Sequence, residues 1–346
     1  ARVRRPTARA APMPGEFELI AALRDRVERA GAPAASAELR LGTGDDAAIT
    51  VPAGATATSV DAVVEGVHFR RPPFDLESVG RKALAAALSD LAAVGARAGE
   101  AFVQLGLPED VGIDGALELA DGLGAVAAGH EVAVAGGDVS RSPVLFCALT
   151  VIGHAVSEGD LVRRSGASPG DVLAVTGELG GAAAGRLLLE RPELGDGLDD
   201  AAADALRERQ LRPEPRLAAG RALAGAGASA MIDLSDGIGG DAAHLAAASG
   251  VELRIEAGRL PVQAAVAAIA DAAGSGEAEL VVGGGEDYEL LVALPPGRAD
   301  EAIGAVRATG IELTVVGVAA AGSGASIRGP GGDPVAASGF DQLRRR

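Results

Sequence analysis

Several residue types are scarce in this chain of 346 residues, and each scarcity argues against a class of protein. There is one cysteine, Cys147, so no disulfide can form within the chain, and its apolar neighbours predict a buried thiol. There is one lysine, Lys82, and no Gly-x-x-x-x-Gly-Lys-Ser/Thr sequence, which excludes a P-loop nucleotide-binding enzyme. No apolar run reaches the length of about 20 residues that a membrane-spanning helix needs, so no membrane association is expected.

Basic residues are scarce relative to acidic ones, 31 against 48, which gives a net charge of −17 and a pI of about 4.7. This acidity argues against a nucleic-acid partner, because phosphate backbones are bound by Lys and Arg. Aromatic residues make up 2% of the chain, so the core must consist of Leu, Val, Ile and Ala. A cytoplasmic protein is therefore expected.

The chain length and the order of the apolar patterns predict an α/β (α+β) fold with two domains. Residues 1–14 are rich in Arg and lack the apolar stretch of a secretory signal, so we predict a disordered N-terminal arm. The polar residues 161–170 contain Pro and Gly and mark a change of composition between the domains. We therefore expect an N-terminal domain at residues 15–157 and a C-terminal domain at residues 158–346.

Two local patterns concern the acidic residues directly. Helical spacing predicts a helix over residues 76–94, which places Asp90 inside a helix, where Asp is disfavoured unless something requires it. β-branched runs predict two short strands at residues 56–60 and 63–67, on either side of Asp61.

One arrangement recurs along the chain: a small or β-branched run stops at Gly or Ser beside an acid. It surrounds Asp46, Asp61, Asp90, Asp138, Asp236 and Glu286. At Gly136-Gly137-Asp138 it predicts a turn after a strand. Two outcomes are open. Either the acids are dispersed as turn and cap residues, or they converge and hard cations such as Mg²⁺ hold them together against their mutual repulsion.

Several single residues have a structural interpretation beside the functional one. His68 either completes a turn or contacts a ligand. Ser235 either caps the helix that follows it or contacts a phosphate, as the backbone of Gly137 and the guanidinium of Arg164 also can. Glu286 either caps the segment after three glycines or lies where a ligand approaches the backbone closely.

Seven blocks of the sequence, taken together, resemble a known family: Gly44-Asp45-Asp46-Ala47-Ala48, residues 61–69 (DAVVEGVHF), 82–96 (KALAAALSDLAAVGA), Gly136-Gly137-Asp138, 164–171 (RSGASPGD), 232–237 (IDLSDG) and 284–291 (GGEDYELL). In this order they resemble the thiamine-monophosphate kinase family over residues 15–340. Single blocks are shared with the wider superfamily of aminoimidazole-ribonucleotide synthetase and selenophosphate synthetase. The combination of GVHF, SDLAAxGA and GGEDYEL is more specific.

The resemblance implies an enzyme that transfers the γ-phosphoryl group of ATP to thiamine monophosphate, giving thiamine diphosphate and ADP, with several Mg²⁺ ions. It implies a homodimer whose N-terminal mixed sheets form a β-barrel across the dimer, and a C-terminal α/β sandwich domain. Because the acceptor oxygen is already anionic, we assign no residue as a general base.

The resemblance also implies three sets of site residues. The metal ligands are Asp46, Ser59, Val60, Asp61, Asp90, Asp138, Asp233 and Asp236. The ATP contacts are Gly137, Asp138, Arg164 and Ser235. The contacts to thiamine monophosphate are His68, Glu286 and Phe340.

The chain departs from the family pattern at a few positions. Val60 stands where the family usually has Thr, so only its carbonyl oxygen can act as a ligand. Ala87 replaces a usual Asn, Val139 a common Thr, and Gln342-Leu343 the closing His-Phe.

Two rival functions are weighed against the kinase. The first is another ATP-dependent synthetase of the superfamily; selenophosphate synthetase is disfavoured because no Cys precedes Gly44. The second is a non-catalytic nucleotide- or metal-binding member, disfavoured because the main acids and Arg164 are retained.

Overall fold

The computed structural model describes residues 15–336 and residue 339. The predicted arm at residues 1–14 and the predicted substrate contact Phe340 lie outside the described residues.

The described residues form ten α-helices: α1 Glu16–Arg29, α2 Leu76–Ala93, α3 Gly112–Gly129, α4 Gly181–Glu190, α5 Asp200–Leu211, α6 Leu217–Gly225, α7 Ile238–Ser249, α8 Val266–Ala273, α9 Glu277–Gly283 and α10 Ala299–Arg307. They also form these strands: β1 Leu39–Leu41, β2 Ile49–Thr50, β3 Ala55–Val64, β4 Arg97–Leu107, β5 Ala133–Arg141, β6 Phe146–Ala155, β7 Val172–Thr176, β8 Ala230–Asp233, β9 Glu252–Glu256, β10 Leu290–Leu294, β11 Leu313–Ala320, β12 Gly324–Arg328 and β13 Pro334–Val335. The fold is thus α+β with mixed sheets.

The chain folds into two compact units, each of which is discontinuous in sequence. The first unit contains the described residues up to Val51, with Val60–Leu84 and Glu100–Thr150. The second unit contains Pro52–Ser59, Ala85–Gly99 and the described residues from Val151 onward. The continuous domains expected at residues 15–157 and 158–346 stay a prediction.

A four-stranded sheet, most of whose residues belong to the first unit, has the strand order β3-β6-β4-β5, in which β4 and β5 run parallel. Gly136-Gly137-Asp138 lies inside β5, so the predicted turn at this position is wrong. The reason is steric: a Cβ on Gly137 would come within 2.1 Å of the Val103 carbonyl oxygen on β4. The glycines therefore allow close pairing of two strands and do not end one.

Strand β3 runs without a break from Ala55 to Val64 and contains Asp61, so the predicted pair of short strands is wrong. Exposure of its side chains alternates from Ala55 to Val60, as expected for a strand with two different faces. The Asp61 carboxylate accepts a hydrogen bond from the Ala62 N–H at 2.7 Å, so the acid is accommodated within the strand. In contrast, α2 contains Asp90 as predicted.

The second unit is built on a seven-stranded sheet with the order β13-β12-β9-β11-β7-β10-β8. All neighbouring strands are antiparallel except β12 and β9. Its core consists of aliphatic side chains such as Leu173, Ile232, Leu245 and Leu253, as the scarcity of aromatics predicted. Strand β8 is an outer strand with all four residues buried, and it ends at Asp233.

Cys147 is a free, fully buried cysteine, as predicted, and burial raises the pKa of its thiol to about 12. Within residues 15–336, the structure contains no helix with the length and apolar character needed to cross a membrane. The cytoplasmic location stays a prediction.

Candidate active site

A cavity of about 310 Å³ in the second unit is lined by Thr58, Ser59, Asp90, Arg164 and Asp233, together with apolar residues. We call it the acidic cavity. Ser59, Asp90, Arg164 and Asp233 come from four different segments: β3, α2, the loop before β7, and the end of β8. Two acids far apart in sequence, Asp90 and Asp233, thus line one cavity. Convergence of the other predicted acids stays a prediction.

Two serines hold the carboxylates of the acidic cavity. The Ser89 hydroxyl, which is fully buried, donates a hydrogen bond to Asp233 Oδ2 at 2.8 Å. The Ser59 hydroxyl donates a hydrogen bond to Asp90 Oδ2. The sequence assigned no role to Ser89, although it lies beside Asp90 in the recurring arrangement. Its position inside a helix next to an unusual Asp is the signal that points to it.

Asp233 is buried within this arrangement, and its pKa is raised from the ordinary value of 3.8 to about 7. Burial is the largest cause, and repulsion by the negative charge of Asp90 adds to it. The hydrogen bond from Ser89 and the positive charge of Arg164 act in the opposite direction. Because the carboxylates of Asp90 and Asp233 repel each other, binding of a cation beside them is favourable.

Asp241, in the first turn of α7, is a buried acid to which no sequence motif assigned a role. It is 3% exposed, and its Oδ2 accepts a hydrogen bond from the Asp236 N–H at 3.1 Å. Burial, followed by the charges of Asp233 and Asp236, raises the pKa of Asp241 to about 8. The sequence feature that could have pointed to Asp241 is its place one helical turn after the IDLSDG block.

The predicted N-cap role of Ser235 is wrong, because α7 begins at Ile238 and its N-cap is Gly237. Gly237 has a φ of 102°, a conformation that favours glycine. The Asp241 carboxylate, by accepting the Asp236 N–H, stabilises the turn that Ser235 was expected to cap.

A second, mostly aliphatic cavity of about 250 Å³ lies within the first unit and is lined by residues of α1, α3, β4 and β5. We call it the apolar cavity. Gly137 and Asp138 belong to its lining. Asp138 accepts hydrogen bonds from Gln104 Nε2 at 2.7 Å and from Ser140 Oγ at 3.0 Å, and these two bonds lower its pKa.

His68 also belongs to the first unit. His68 Nδ1 accepts a hydrogen bond from the Val64 N–H at 3.0 Å, so in the neutral ring the proton is on Nε2. Nε2 is buried and has no hydrogen-bond partner among the described residues. The backbone turn alone therefore does not account for this side chain.

The structure also defines a backbone contact at Asp46 and the exposure of Val60. The Asp45 carboxylate accepts a hydrogen bond from the Asp46 N–H at 2.8 Å, so Asp45 shapes the turn that presents Asp46. The Val60 side chain is 70% exposed, which is unusual for a valine in a strand.

The segment after the three glycines has an unusual backbone. Glu286 and Tyr288 have φ values of 73° and 51°, in the left-handed region that side chains other than glycine rarely adopt. Asp287 between them accepts hydrogen bonds from the N–H groups of Gly180 at 2.8 Å and Ala182 at 3.1 Å, at the start of α4. Such conformations concentrate at functional sites, where the surrounding structure maintains them.

Glu289, two residues beyond Asp287, is fully buried in an ionic cluster. It accepts hydrogen bonds from Arg216 Nε at 2.8 Å and Thr176 Oγ1 at 2.8 Å, and from Arg209. This cluster fixes the far end of the segment to α5 and β7, and we interpret it as structural.

The structure brings Ser59, Asp90, Arg164 and Asp233 together at one cavity and places Asp236 close enough to affect the pKa of Asp241. The predicted residues of the first unit are Asp46, Val60, Asp61, His68, Gly137 and Asp138. The ligating atoms around the acidic cavity are carboxylate and hydroxyl oxygens, which suit a hard divalent cation.

Comparisons with known proteins show which family the chain resembles. The family described as AIR synthase related protein matches twice, its N-terminal domain over residues 44–155 and its C-terminal domain over residues 168–329. The thiamine-monophosphate kinase of Salmonella typhimurium is 38% identical over 310 residues, which cover 88% of this chain and 90% of that protein. The thiamine-monophosphate kinase of Mycobacterium tuberculosis is 39% identical over 279 residues, or 80% of each chain.

Solved structures give the same result. The thiamine-monophosphate kinase of Stenotrophomonas maltophilia has a TM-score of 0.78 and 34% identity, covering 90% of this chain and 96% of its own. A structure of AaThiL complexed with AMPPCP and TMP has a TM-score of 0.73 and 29% identity, covering 94% and 96%. The hydrogenase maturation protein HypE, at 20% identity and a TM-score of 0.74, shares the fold alone. From its sequence identity, its coverage and its fold, this chain belongs to the thiamine-monophosphate kinase family.

Proposed function

We propose that this protein transfers the γ-phosphoryl group of ATP to the phosphate of thiamine monophosphate, producing thiamine diphosphate and ADP. Family membership over nearly the whole chain carries the proposal. The acidic cavity supports it, because a cluster of carboxylates beside an arginine suits the handling of polyphosphates with divalent cations.

The nucleotide contacts proposed for the first unit are Gly137 and Asp138. They line the apolar cavity, whose aliphatic walls suit the adenine base. In the second unit, the Arg164 guanidinium offers a planar, charged donor to phosphate oxygens, and Ser235 is the further proposed contact.

We propose that the carboxylates hold Mg²⁺. The ligands in the second unit are Ser59, Asp90, Asp233 and Asp236. Those in the first unit are Asp46, the Val60 carbonyl, Asp61 and Asp138. The raised pKa of Asp233 fits this role, since it reflects negative charge that a cation would neutralise. When bound, Mg²⁺ neutralises charge on the phosphates and orients them.

The side chains contribute mainly by positioning. The attacking oxygen belongs to an anionic phosphate, so no base has to remove a proton. His68 Nε2–H, buried without a partner among the described residues, is proposed to donate a hydrogen bond to the phosphate of thiamine monophosphate. Glu286 and Phe340 are the further proposed contacts to thiamine monophosphate. Holding both phosphates in line is then the main contribution of the protein.

We also propose that the protein is a homodimer in which the sheets of two first units complete a β-barrel. In the single chain, β3 and β5 are the outer strands of their sheet. The 70% exposed Val60 on β3 supports the proposal, since exposed apolar side chains on an outer strand are suited to an interface. Sedimentation equilibrium tests it: a monomer at micromolar concentration would contradict it.

The kinase proposal is tested by measuring ADP release with ATP, Mg²⁺ and thiamine monophosphate, and by detecting thiamine diphosphate chromatographically. Turnover that requires thiamine monophosphate supports it. Turnover only with another phosphate acceptor would favour a synthetase of the same superfamily. Binding of ATP without turnover on any acceptor would favour a non-catalytic member.

A further inference from the structure

Gln210, in the last turn of α5, was not singled out by the sequence, yet it contacts a proposed substrate residue. It is 2% exposed, and its Nε2 donates a hydrogen bond to Glu286 Oε2 at 2.7 Å. Its backbone is held firmly, because α4 and α5 pack without space for a side chain at Gly185. A Cβ there would lie 1.9 Å from the Leu206 carbonyl oxygen and 3.2 Å from Gln210 Cβ.

The carbonyl oxygen of the Gln210 amide points to a role beyond positioning Glu286. This atom, Oε1, is buried and has no hydrogen-bond partner among the described residues. Rotating the amide would direct Oε1 at the Glu286 carboxylate, where two acceptors would repel, so the present orientation is the favourable one. A buried acceptor without a donor is rare in folded proteins and costs free energy, and a ligand that supplies the donor is one explanation for it.

Glu286 is held in place by its backbone as well as by Gln210. Its N–H donates a hydrogen bond to the Ser235 carbonyl at 2.8 Å, and its φ is 73°. This contact ties Glu286 to the loop that follows Asp233 of the acidic cavity. The side chain is partly exposed, so a ligand can reach it.

We infer that Gln210 and Glu286 together form an acceptor pair for an amino group on the phosphoryl acceptor, with Gln210 also positioning Glu286. This inference rests on the proposed function. The pair presents carbonyl and carboxylate oxygens, which recognise N–H donors and reject a group that offers only acceptors. Thiamine monophosphate carries such a donor, the exocyclic amine of its aminopyrimidine ring. The pair would therefore select the amino form of the substrate.

The test compares thiamine monophosphate with its oxo analogue, in which oxygen replaces the pyrimidine amine. The wild-type protein is expected to have a kcat/KM about 10- to 100-fold lower for the oxo analogue, because a hydrogen bond to a charged group is lost and acceptors face each other. Gln210→Met keeps the size and burial of the side chain but removes both polar atoms. It is expected to raise the KM for thiamine monophosphate about tenfold and to reduce the discrimination to about threefold. Its kcat and its KM for ATP are expected to remain within about twofold of wild type.

Glu208→Gln is the matched control, because Glu208 lies on the same helix, is 53% exposed and pairs only with Arg212 among the ion pairs of the described residues. It should leave the discrimination unchanged. If Gln210→Met does not fold, as judged from its melting temperature, Gln210→Asn serves instead, since its amide is withdrawn by one methylene. Equal use of the two substrates by the wild-type protein would overturn the inference and leave the proposed kinase intact. A folded Gln210 variant that discriminates between the two substrates as strongly as the wild-type protein would also overturn the inference and leave the proposed kinase intact. Absence of any turnover with thiamine monophosphate would instead overturn the proposed function.

Discussion

At the scale of single residues, the acidic cavity brings like charges together in a buried place. Asp90 and Asp233 repel each other, and the protein offsets this with single hydrogen bonds from Ser59 and Ser89 and with the charge of Arg164. Removing water from a carboxylate is costly unless other groups replace its interactions. The arrangement is therefore better suited to cation binding than to the stability of the isolated chain.

Asp90→Asn is expected to lower kcat about 100- to 1000-fold, a loss typical of removing one charged group that stabilises a transition state. The melting temperature without Mg²⁺ is expected to stay equal or to rise, because repulsion of Asp233 is removed. Turnover and thermal melting in EDTA measure the two effects. Glu77→Gln on the same helix, where Glu77 forms a partly exposed pair with Arg81, is the control. Near-normal turnover of Asp90→Asn would contradict the metal role of Asp90.

Ser89→Ala tests the support of Asp233. Loss of the 2.8 Å hydrogen bond lets the carboxylate rotate and favours its protonated form, so cation affinity should fall. We expect the Mg²⁺ concentration for half-maximal activity to rise about tenfold, as for other residues that orient ligands. Calorimetric titration of Mg²⁺ into the protein gives a second readout independent of turnover. Unchanged affinity would show that Ser89 only fills space.

At the scale of elements, the glycines of this chain act mainly by allowing close approach. Gly137 lets β5 pair with β4, and Gly185 lets α4 pack on α5, because in each case a Cβ would overlap a backbone carbonyl oxygen. Backbone atoms cannot move aside as the end of a flexible side chain can. Close packing of this kind fixes the position of Asp138, which follows Gly137 on β5. It also fixes Gln210, which lies on α5 opposite Gly185 of α4.

Gly137→Ala is therefore expected to destabilise the protein by about 2 kcal/mol or more, as overpacking in a dense region does. Gly129→Ala is the matched control, because a Cβ at Gly129 in the last turn of α3 meets nothing within 4 Å. That change should be neutral or stabilising by up to about 1 kcal/mol, since Ala favours helix. Denaturant unfolding of the two variants measures the difference. Equal free energies of unfolding would contradict the steric role of Gly137.

At the scale of the whole molecule, the excess of negative charge and the buried carboxyls make stability depend on pH and on cations. The net charge of −17 disfavours compaction in general. In addition, burial raises the pKa of Asp287 to about 6, of Asp233 to about 7 and of Asp241 to about 8. All three values exceed the ordinary value of 3.8, so folding favours the protonated form of each group.

The stability contributed by these groups is full below about pH 4 and is lost as the pH rises through 6 to 8. We therefore expect the melting temperature in EDTA to fall between pH 5.5 and 8.5. Mg²⁺ is expected to stabilise the protein more at pH 8.5 than at pH 5.5, because cations bind the ionised carboxylates. The double change Asp233→Asn with Asp241→Asn should flatten the fall in EDTA. A profile as steep as that of the wild-type protein would show that other groups cause it.

The pattern of residues predicted some features well and others wrongly, for identifiable reasons. Asp90 inside α2 follows from helical spacing, which is a local property. The sequence pattern predicts strand ends at Asp61 and Gly137, because Asp and Gly usually end strands, yet both residues lie inside strands, β3 and β5. Pairing with neighbouring strands overrides the local preference. The pattern also predicts Ser235 as an N-cap, but Asp241 of the following helix stabilises the turn instead.

Composition and short motifs were enough to predict the family, the α+β class and the aliphatic core, because these depend on residue types and local order. Three features follow from the packing of distant segments instead: Asp90 and Asp233 share a cavity, Ser89 and Asp241 hydrogen-bond to the groups around it, and Gln210 reaches Glu286 while its own carbonyl oxygen stays buried without a donor among the described residues. Burial and the distance between two side chains depend on how distant segments pack. No local pattern contains that information.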